Sequence, residues 1–285
     1  MAATQSPTVH QRRLRAELRK ARENSSQTQE QVATALEWSL SKVIRIEAGT
    51  VGISTTDLRA LLAHYGVADE RITEIVALAR SARERAWWSS YRKALSQPYT
   101  DMIGYESAAS ILRHFQPLVV PGLLQTSDYA EAITHGLLRP ENRSRSEQLI
   151  EVRMRRQELL EQPDPPQFYF VIDEAVVHRH VGGQNVMRNQ IRRLVELASL
   201  PHVTIEVVPF TAGAHMGLGG AFTIIEFPDP EDDDVLSLES ERGSVTTRDL
   251  HDEVTHYREV FEDLRRVSLR PEGSAVLLSR LADEI

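Results

Sequence analysis

The sequence has 285 residues, of which 41% are hydrophobic and 26% are charged, a balance typical of a soluble globular protein with one large domain or two ordinary ones. It contains no cysteine, which excludes disulfide scaffolds, Cys-ligated zinc, iron–sulfur clusters and thiol catalysis. No apolar run approaches the roughly 18 residues of a membrane-spanning helix, and the first 27 residues lack a secretory apolar stretch. We therefore expect a cytoplasmic protein with no membrane partner.

The formal net charge of −8 is unevenly distributed along the chain. Residues 1–95 contain 15 Lys and Arg against 10 Asp and Glu, a net +5, whereas residues 96–285 contain 18 against 31, a net −13. The basic part suits contact with phosphates, and the acidic part would be repelled by them. An acidic body also suits a basic protein partner.

The first 85 residues predict five short helices. The predicted helices begin at Val9, at Gln29, and after Ser39, Ser54 and Asp69. Thr28 is predicted to cap the second helix, with Gln31 in the reciprocal capping-box position, and Gly49 is predicted to end the third. Helices this short cannot each bury a face alone, and two of them joined by a short turn and crossed against a third form a helix-turn-helix.

The residues of this region resemble one class of DNA-binding domain. The resemblance is carried by Thr28-Gln29-Glu30-Gln31-Val32-Ala33, by Ser39 to Gly49, and by Leu58 to Leu62 with Tyr65-Gly66-Val67. These segments are similar to the phage-repressor-like, or Xre, class, which implies a five-helix lambda-repressor-like domain over residues 1–85 with Ala33 as the small residue where two helices cross. Glu37 occupies the turn position where the class usually has Gly. A left-handed backbone at Glu37 is expected to cost on the order of 1 kcal/mol.

Sequence readout requires a helix whose first turns carry hydrogen-bonding side chains into a groove. The candidate DNA-binding residues are Thr28, Gln29, Ser39, Leu40, Ser41, Lys42 and Arg45. The resemblance implies that Leu40 and Ser41 read bases, that Arg45 lies one turn further on, and that Gln29 contacts backbone phosphate. Arg45 could bind guanine through two hydrogen bonds, whereas Leu40 offers only apolar contact, as to a thymine methyl. The alternative is that these side chains form solvated faces.

Residues 86–98 are predicted to link two domains. Trp87 and Trp88 in this segment are interpreted as an apolar hinge, with an aromatic nucleic-acid platform as the alternative. Residues 99–285 predict an α+β or mixed α/β domain with about four strands, at residues 168–172, 203–207, 221–227 and 235–238. The predicted helices of this domain cover residues 106–115, 129–137, 145–161, 186–200, 250–267 and 274–281.

Separated motifs give this second part a resemblance of its own. They are Pro121 to Thr126 with Tyr129-Ala130, Arg156-Gln157, Asp173-Glu174-Ala175, Val181-Gly182-Gly183, Gln190, and Val208-Pro209-Phe210 with Gly213. In this order they are similar to an antitoxin-like effector domain found behind Xre heads in regulators of filamentous, high-GC bacteria. The resemblance implies a transcriptional regulator encoded beside a small partner protein.

The sequence offers little support for an enzyme. It has no Gly-x-Ser-x-Gly elbow, and the glycines of residues 215–220 lack phosphate-loop spacing and more simply shape a turn before a strand. His178-x-His180 and His251-x4-His256 approach metal-ligand spacing without a partner cluster. Asp173 and Glu174 follow a strand end, where they are read as helix-start carboxylates, with a site residue as the alternative. We therefore predict no catalytic residue, no metal and no cofactor.

These observations together predict a sequence-specific transcriptional regulator that binds double-stranded DNA. One helix-turn-helix buries little surface, so we expect a homodimer on an inverted repeat with half-sites about 34 Å apart. Control would come through the C-terminal domain, from a small protein partner encoded nearby or a small-molecule effector. The alternative is an antitoxin-like module that neutralises a small cognate protein and autoregulates its operon.

Overall fold

The computed structural model describes residues 6–138, 140–239, 245–247 and 251–285. Its internal contacts divide the chain into two compact units, Met1–Trp87 and Trp88–Ile285. Each unit has its own hydrophobic core. Among the described residues, no helix combines the length and the apolar content that crossing a membrane requires.

The first unit consists of the five helices that the sequence predicts. They are α1 Pro7–Asn24, α2 Gln29–Ala35, α3 Leu40–Glu47, α4 Thr55–His64 and α5 Asp69–Ser81. The inward positions of all five helices meet in one core, which includes Leu18, Val32, Ala33, Val43, Ile46, Leu58, Leu61, Leu62, Ile72 and Ile75. The all-α head is thus confirmed, and Ala33 is buried in it as expected.

The second unit mixes helices with a six-stranded sheet in its described part. Its helices are α6 Gln97–Glu106, α7 Ser127–Leu137, α8 Ser146–Arg156, α9 Ala175–His178, α10 Gln184–Leu197, α11 His251–Val267 and α12 Pro271–Glu284. Its strands are β1 Ile111–Gln116, β2 Gln167–Asp173, β3 Val203–Val208, β4 Phe222–Glu226, β5 Val235–Leu238 and β6 Val245–Thr247. The sheet order is β3-β2-β1-β4-β5-β6, with β1, β2 and β3 parallel and the other neighbours antiparallel. The α+β class is confirmed, with two strands more than the sequence predicted.

One central element was wrongly predicted. Residues 106–115 were expected to form a helix, but the helix α6 ends at Glu106 and β1 begins at Ile111 in the middle of the sheet. Leu112 and Phe115 have the three-residue spacing of a helical stripe, but in β1 they lie on opposite faces of the sheet, and both are buried. The polar residues of β1 are paired across the sheet, since Arg113 Nε donates to Glu226 over 2.7 Å.

The sheet is joined to helix α11 by an ion pair as well as by apolar packing. Phe261 of α11 lies in the same core cluster as Phe115 and Phe222 of the sheet. Arg265 of α11 pairs over 2.8 Å with Glu206, a buried carboxylate on β3. This combination of an apolar face and a charged contact fixes α11 against the strands.

The motif at residues 121–126 follows β1 and is held by side chains from distant helices. Gln190 of α10 accepts from the amide of Thr126 over 2.7 Å and donates to the carbonyl of Leu124 over 2.8 Å. The amide of Val120 donates to the hydroxyl of Tyr129, and Gln157 donates to the carbonyl of Gln125 over 2.7 Å. Side chains therefore satisfy backbone groups that a buried, irregular segment would otherwise leave unpaired.

Candidate nucleic-acid interface

The helices α2 and α3 form the helix-turn-helix, and each begins at the predicted cap. Thr28 Oγ1 accepts from the amide of Gln31 over 3.2 Å, and Gln31 Oε1 accepts in return from the amide of Thr28 over 2.8 Å. Ser39 Oγ accepts from the amide of Lys42 over 3.2 Å. The capping box and the second cap fix where each helix starts, and so fix the length of the turn between them.

The turn after α2 has the geometry of a Schellman motif. The amide of Trp38 donates to the carbonyl of Ala33 over 2.8 Å, and the amide of Glu37 donates to the carbonyl of Thr34 over 3.3 Å. Glu37 has a φ of +53°, the left-handed conformation that glycine adopts most readily. The ends of α3 and α4 repeat these hydrogen bonds with glycine at the equivalent position, Gly49 and Gly66.

Replacing Glu37 with glycine should stabilise the first unit. We expect its free energy of unfolding, measured in the full chain, to rise by about 1 kcal/mol, because a left-handed backbone strains any residue with a Cβ. Thermal unfolding by calorimetry would measure the change. Glu37→Ala is the matched control, since it removes the carboxylate but keeps the Cβ, and we expect it to leave stability nearly unchanged. Equal stabilisation by both variants would show that the charge, and not the backbone, is the source of strain.

The outer face of α3 carries the side chains that could read bases. Val43 and Ile46 point into the core, whereas Leu40, Ser41 and Arg45 are exposed. No hydrogen bond or ion pair of the Arg45 guanidinium is found within the described part of the chain, and its five N–H donors have no acceptor there. The structure therefore brings these three candidates together on one exposed helix face.

Lys42 differs from its neighbours on α3 because its ammonium group already contacts other side chains of the first unit. Its Nζ lies 3.1 Å from Asp57 Oδ2 on α4 and 3.7 Å from the centre of the Trp38 ring. Both contacts stabilise the ammonium where it is and tie α3 to α4 and the turn. A phosphate contact by Lys42 would have to replace the ion pair with Asp57, so we expect it to contribute less than Arg45.

Gln29 belongs to a polar network that fixes the start of α2 against the end of α3. Gln29 Nε2 donates to Glu47 Oε2 over 2.8 Å, and Arg22 Nε of α1 donates to Glu47 Oε1 over 2.7 Å. Glu47 is only 4% exposed, and the hydrogen bond to this carboxylate raises the pKa of Arg22. The second N–H of the Gln29 amide leaves a donor with which Gln29 could still contact a phosphate.

Sequence reasoning missed two residues of this surface. Ile44 is exposed on α3, four residues after Leu40 and outside the Val43–Ile46 stripe, so a helical projection would have found it. Glu47 is buried, and nothing local reveals this, because its partner Arg22 lies 25 residues away. The first residue extends the exposed face of α3, and the second positions the helix that carries it.

In the second unit, Asp173 and Glu174 make contacts that shape the chain at the end of β2. Asp173 Oδ1 accepts from the amide of Ala175 over 2.8 Å at the start of α9, and Glu174 Oε2 accepts from the amide of Phe210 over 2.7 Å. His215 Nε2 lies 3.2 Å from Asp173 Oδ2. Asp173 thus contacts the start of α9, whereas the Glu174 side chain makes no cap bond to that helix and binds the segment after β3 instead.

Metal-ligand geometry is missing from the described residues, where no three His, Cys, Asp or Glu side chains come together as a possible metal site. His178 Nε2 lies 3.1 Å from Glu174 Oε1, a pair within one helical turn. The side chain of His251, the first residue of the other histidine pair, falls outside the described part of the chain.

Comparisons with known families agree with this division of the chain. Residues 13–75 match a helix-turn-helix domain, and residues 99–280 match a domain described as a domain of unknown function, DUF5753. Neither the curated proteins nor the solved structures gave a match.

The five-helix head and the family match together place the chain among helix-turn-helix proteins, a class of DNA-binding regulators. The second match covers more than half of the 285 residues, and the chain belongs to the DUF5753 family.

Proposed function

We propose that this protein is a cytoplasmic transcriptional regulator of the Xre type that binds double-stranded DNA sequence-specifically through α3. The observation that carries the proposal is the exposed face of α3, where Arg45, Ser41 and Leu40 stand clear of the core. The net charge of +5 over residues 1–95 supports phosphate contact by this part of the chain. No catalytic role is proposed for either unit.

A single head of this size buries too little surface for tight binding, so the proposal includes a homodimer. Two heads would bind an inverted repeat whose half-sites lie about 34 Å apart, one turn of the double helix. Selection of binding sites from a random duplex pool, with the full chain, tests this directly. An enriched inverted repeat with that spacing supports the dimer, and enrichment of single half-sites contradicts it.

Arg45→Ala should weaken specific binding by about 1–3 kcal/mol and relax the preference at one base pair, because a bidentate contact to guanine would be lost. Fluorescence anisotropy against the selected operator and its single-base variants measures both effects. Arg80→Ala is the matched control, since it removes the same charge from an exposed position on α5. Unchanged operator affinity in Arg45→Ala would refute the assignment of Arg45.

The DUF5753 domain is proposed to control DNA binding as an antitoxin-like effector domain, and one observation favours a protein partner. Phe210, Met216 and Leu218 are 59%, 55% and 68% exposed within a short segment after β3. Exposed large apolar side chains that recur in one segment are typical of an interaction surface. The net charge of −13 over residues 96–285 would suit a basic partner.

The second candidate function is therefore an antitoxin-like module that neutralises a small cognate protein and regulates its own operon. The test is co-purification of the product of a neighbouring small open reading frame, followed by its titration against the protein–operator complex. Coupled binding supports control by a protein partner. If no such product binds, a small-molecule effector becomes the better proposal, and a ligand-dependent shift in melting temperature would detect it.

A further inference from the structure

Two exposed apolar side chains stand on α3 in a position that the core does not explain. Leu40 is 41% exposed and Ile44 is 43% exposed. Within described residues 6–87 they are the only exposed large apolar side chains. Because they are four residues apart on a helix, one lies directly beyond the other on the same face. We call this pair the Leu40–Ile44 strip.

The strip lies outside the hydrophobic core of the first unit. Val43 and Ile46, whose side of α3 is centred about 110° away round the helix, pack in the core and are 1% and 4% exposed. Exposed apolar side chains gain free energy only when another surface removes them from water. The strip therefore has the chemistry of a contact surface.

The neighbours of the strip indicate which surface would cover it. Ser41 and Arg45 each lie one residue beyond a member of the strip, about 100° further round the helix, and both are exposed. An apolar line beside a hydroxyl and a guanidinium matches the major groove, where hydrogen-bonding base edges alternate with the C5-methyl groups of thymine. The net charge of +5 over residues 1–95 favours a polyanion such as DNA as the surface that covers the strip.

We propose that the Leu40–Ile44 strip reads pyrimidine C5-methyl groups, and specifically those of thymine, in the operator half-site. The inference rests on the proposed function of α3 as the DNA-reading helix. Four residues of helix rise span about 6 Å, and successive base pairs are about 3.4 Å apart. Leu40 and Ile44 would thus contact methyl groups about two base-pair steps apart, with Arg45 reading a neighbouring base.

The test removes one methyl group at a time from the DNA. An operator is first selected from a random duplex pool with the full chain, and each thymine of a half-site is then replaced by uracil, which keeps the base pairing. At one or two positions we expect uracil to lower affinity about fourfold, the effect of exposing one methyl-sized group. Fluorescence anisotropy measures the dissociation constants.

Protein variants then assign each methyl to a side chain. Ile44→Ala should be insensitive to uracil at one of these positions and keep the penalty at the other, and Leu40→Ala should show the reverse. Ser41→Ala is the matched control and should keep both penalties. Because all three positions are exposed, thermal unfolding should show that the variants remain folded.

Each result bears on a distinct claim. Equal affinity for every uracil-substituted operator, or uracil penalties that persist unchanged in both alanine variants, would overturn the inference while leaving DNA binding intact. A rise in affinity when 5-methylcytosine replaces an operator cytosine, together with no penalty from uracil at any thymine, would show that the strip reads methylated cytosine and would overturn the thymine assignment. A pool that yields no enriched sequence would refute the proposed function and the inference together.

Discussion

Replacing Arg156 with alanine should destabilise the second unit by about 3–5 kcal/mol, because the change leaves a buried carboxylate without its cation. The guanidinium of Arg156 forms a bidentate contact with Glu106, with Nε and Nη2 at 2.9 Å and 2.7 Å from the two carboxylate oxygens. Its remaining nitrogen Nη1 donates to the hydroxyl of Tyr99 over 2.8 Å. The contact connects α8 with both ends of α6.

Because the ion pair between Arg156 and Glu106 is buried, breaking it costs more free energy than breaking a surface pair. The side chains of Arg156 and Glu106 are 6% and 2% exposed, so water cannot replace a missing partner. Burial acts to lower the pKa of Arg156, but the charge and hydrogen bonds of Glu106 and Tyr99 outweigh it, and the pKa stays above the ordinary arginine value. The guanidinium is therefore always charged, and the carboxylate beside it depends on that charge.

Calorimetry of the full chain would show the loss as a fall of roughly 10 °C in the melting temperature of the second unit. Arg193→Ala is the matched control, because Arg193 pairs with Glu196 at the surface, where such pairs contribute less than about 1 kcal/mol. The double variant Glu106→Leu with Arg156→Met removes both charges and should recover most of the stability. A double variant as unstable as Arg156→Ala would show that packing, and not an unpaired charge, causes the loss.

Local signals explain most of what the sequence predicts correctly. The starts of α2, α3 and α4 depend on caps a few residues from the helix they begin, at Thr28, Ser39 and Ser54. The strained turn at Glu37 was implied by the resemblance, because the class usually has Gly at that position, and Glu37 has a positive φ. Each of these features is decided by neighbours in sequence.

Features decided by distant residues could not be predicted. The strand β1 contains His114, which is buried and lies 3.2 Å from Thr223 on β4, and burial lowers its pKa to about 4. Arg113 on the same strand pairs with Glu226. Without these partners, which lie more than 100 residues away, a strand with polar residues in the centre of a sheet cannot be recognised. The burial of Glu47 could not be predicted either, because its partner Arg22 lies 25 residues away.

Glu47→Ala should destabilise the first unit by about 2–4 kcal/mol and weaken operator binding. The variant removes the acceptor of Arg22 and of Gln29, and leaves a partly buried guanidinium and an amide without their partner. Tyr65 faces the same group, since burial and the charge of Glu47 raise the pKa of its hydroxyl. The loss therefore affects contacts among α1, α2, α3 and the end of α4.

The effect on DNA binding follows from where the network lies. Glu47 is the last residue of α3, Gln29 is the first residue of α2, and their hydrogen bond fixes the two helices of the motif against each other. Fluorescence anisotropy of operator binding, measured well below the melting temperature, separates this positioning effect from unfolding. Glu30→Ala removes an exposed carboxylate from the first turn of α2 and should cost less than about 1 kcal/mol in stability, without weakening operator binding. Glu47→Gln keeps one acceptor oxygen and should lose less of both than Glu47→Ala. If Glu47→Ala binds the operator with wild-type affinity while folded, the network stabilises the head without positioning α3.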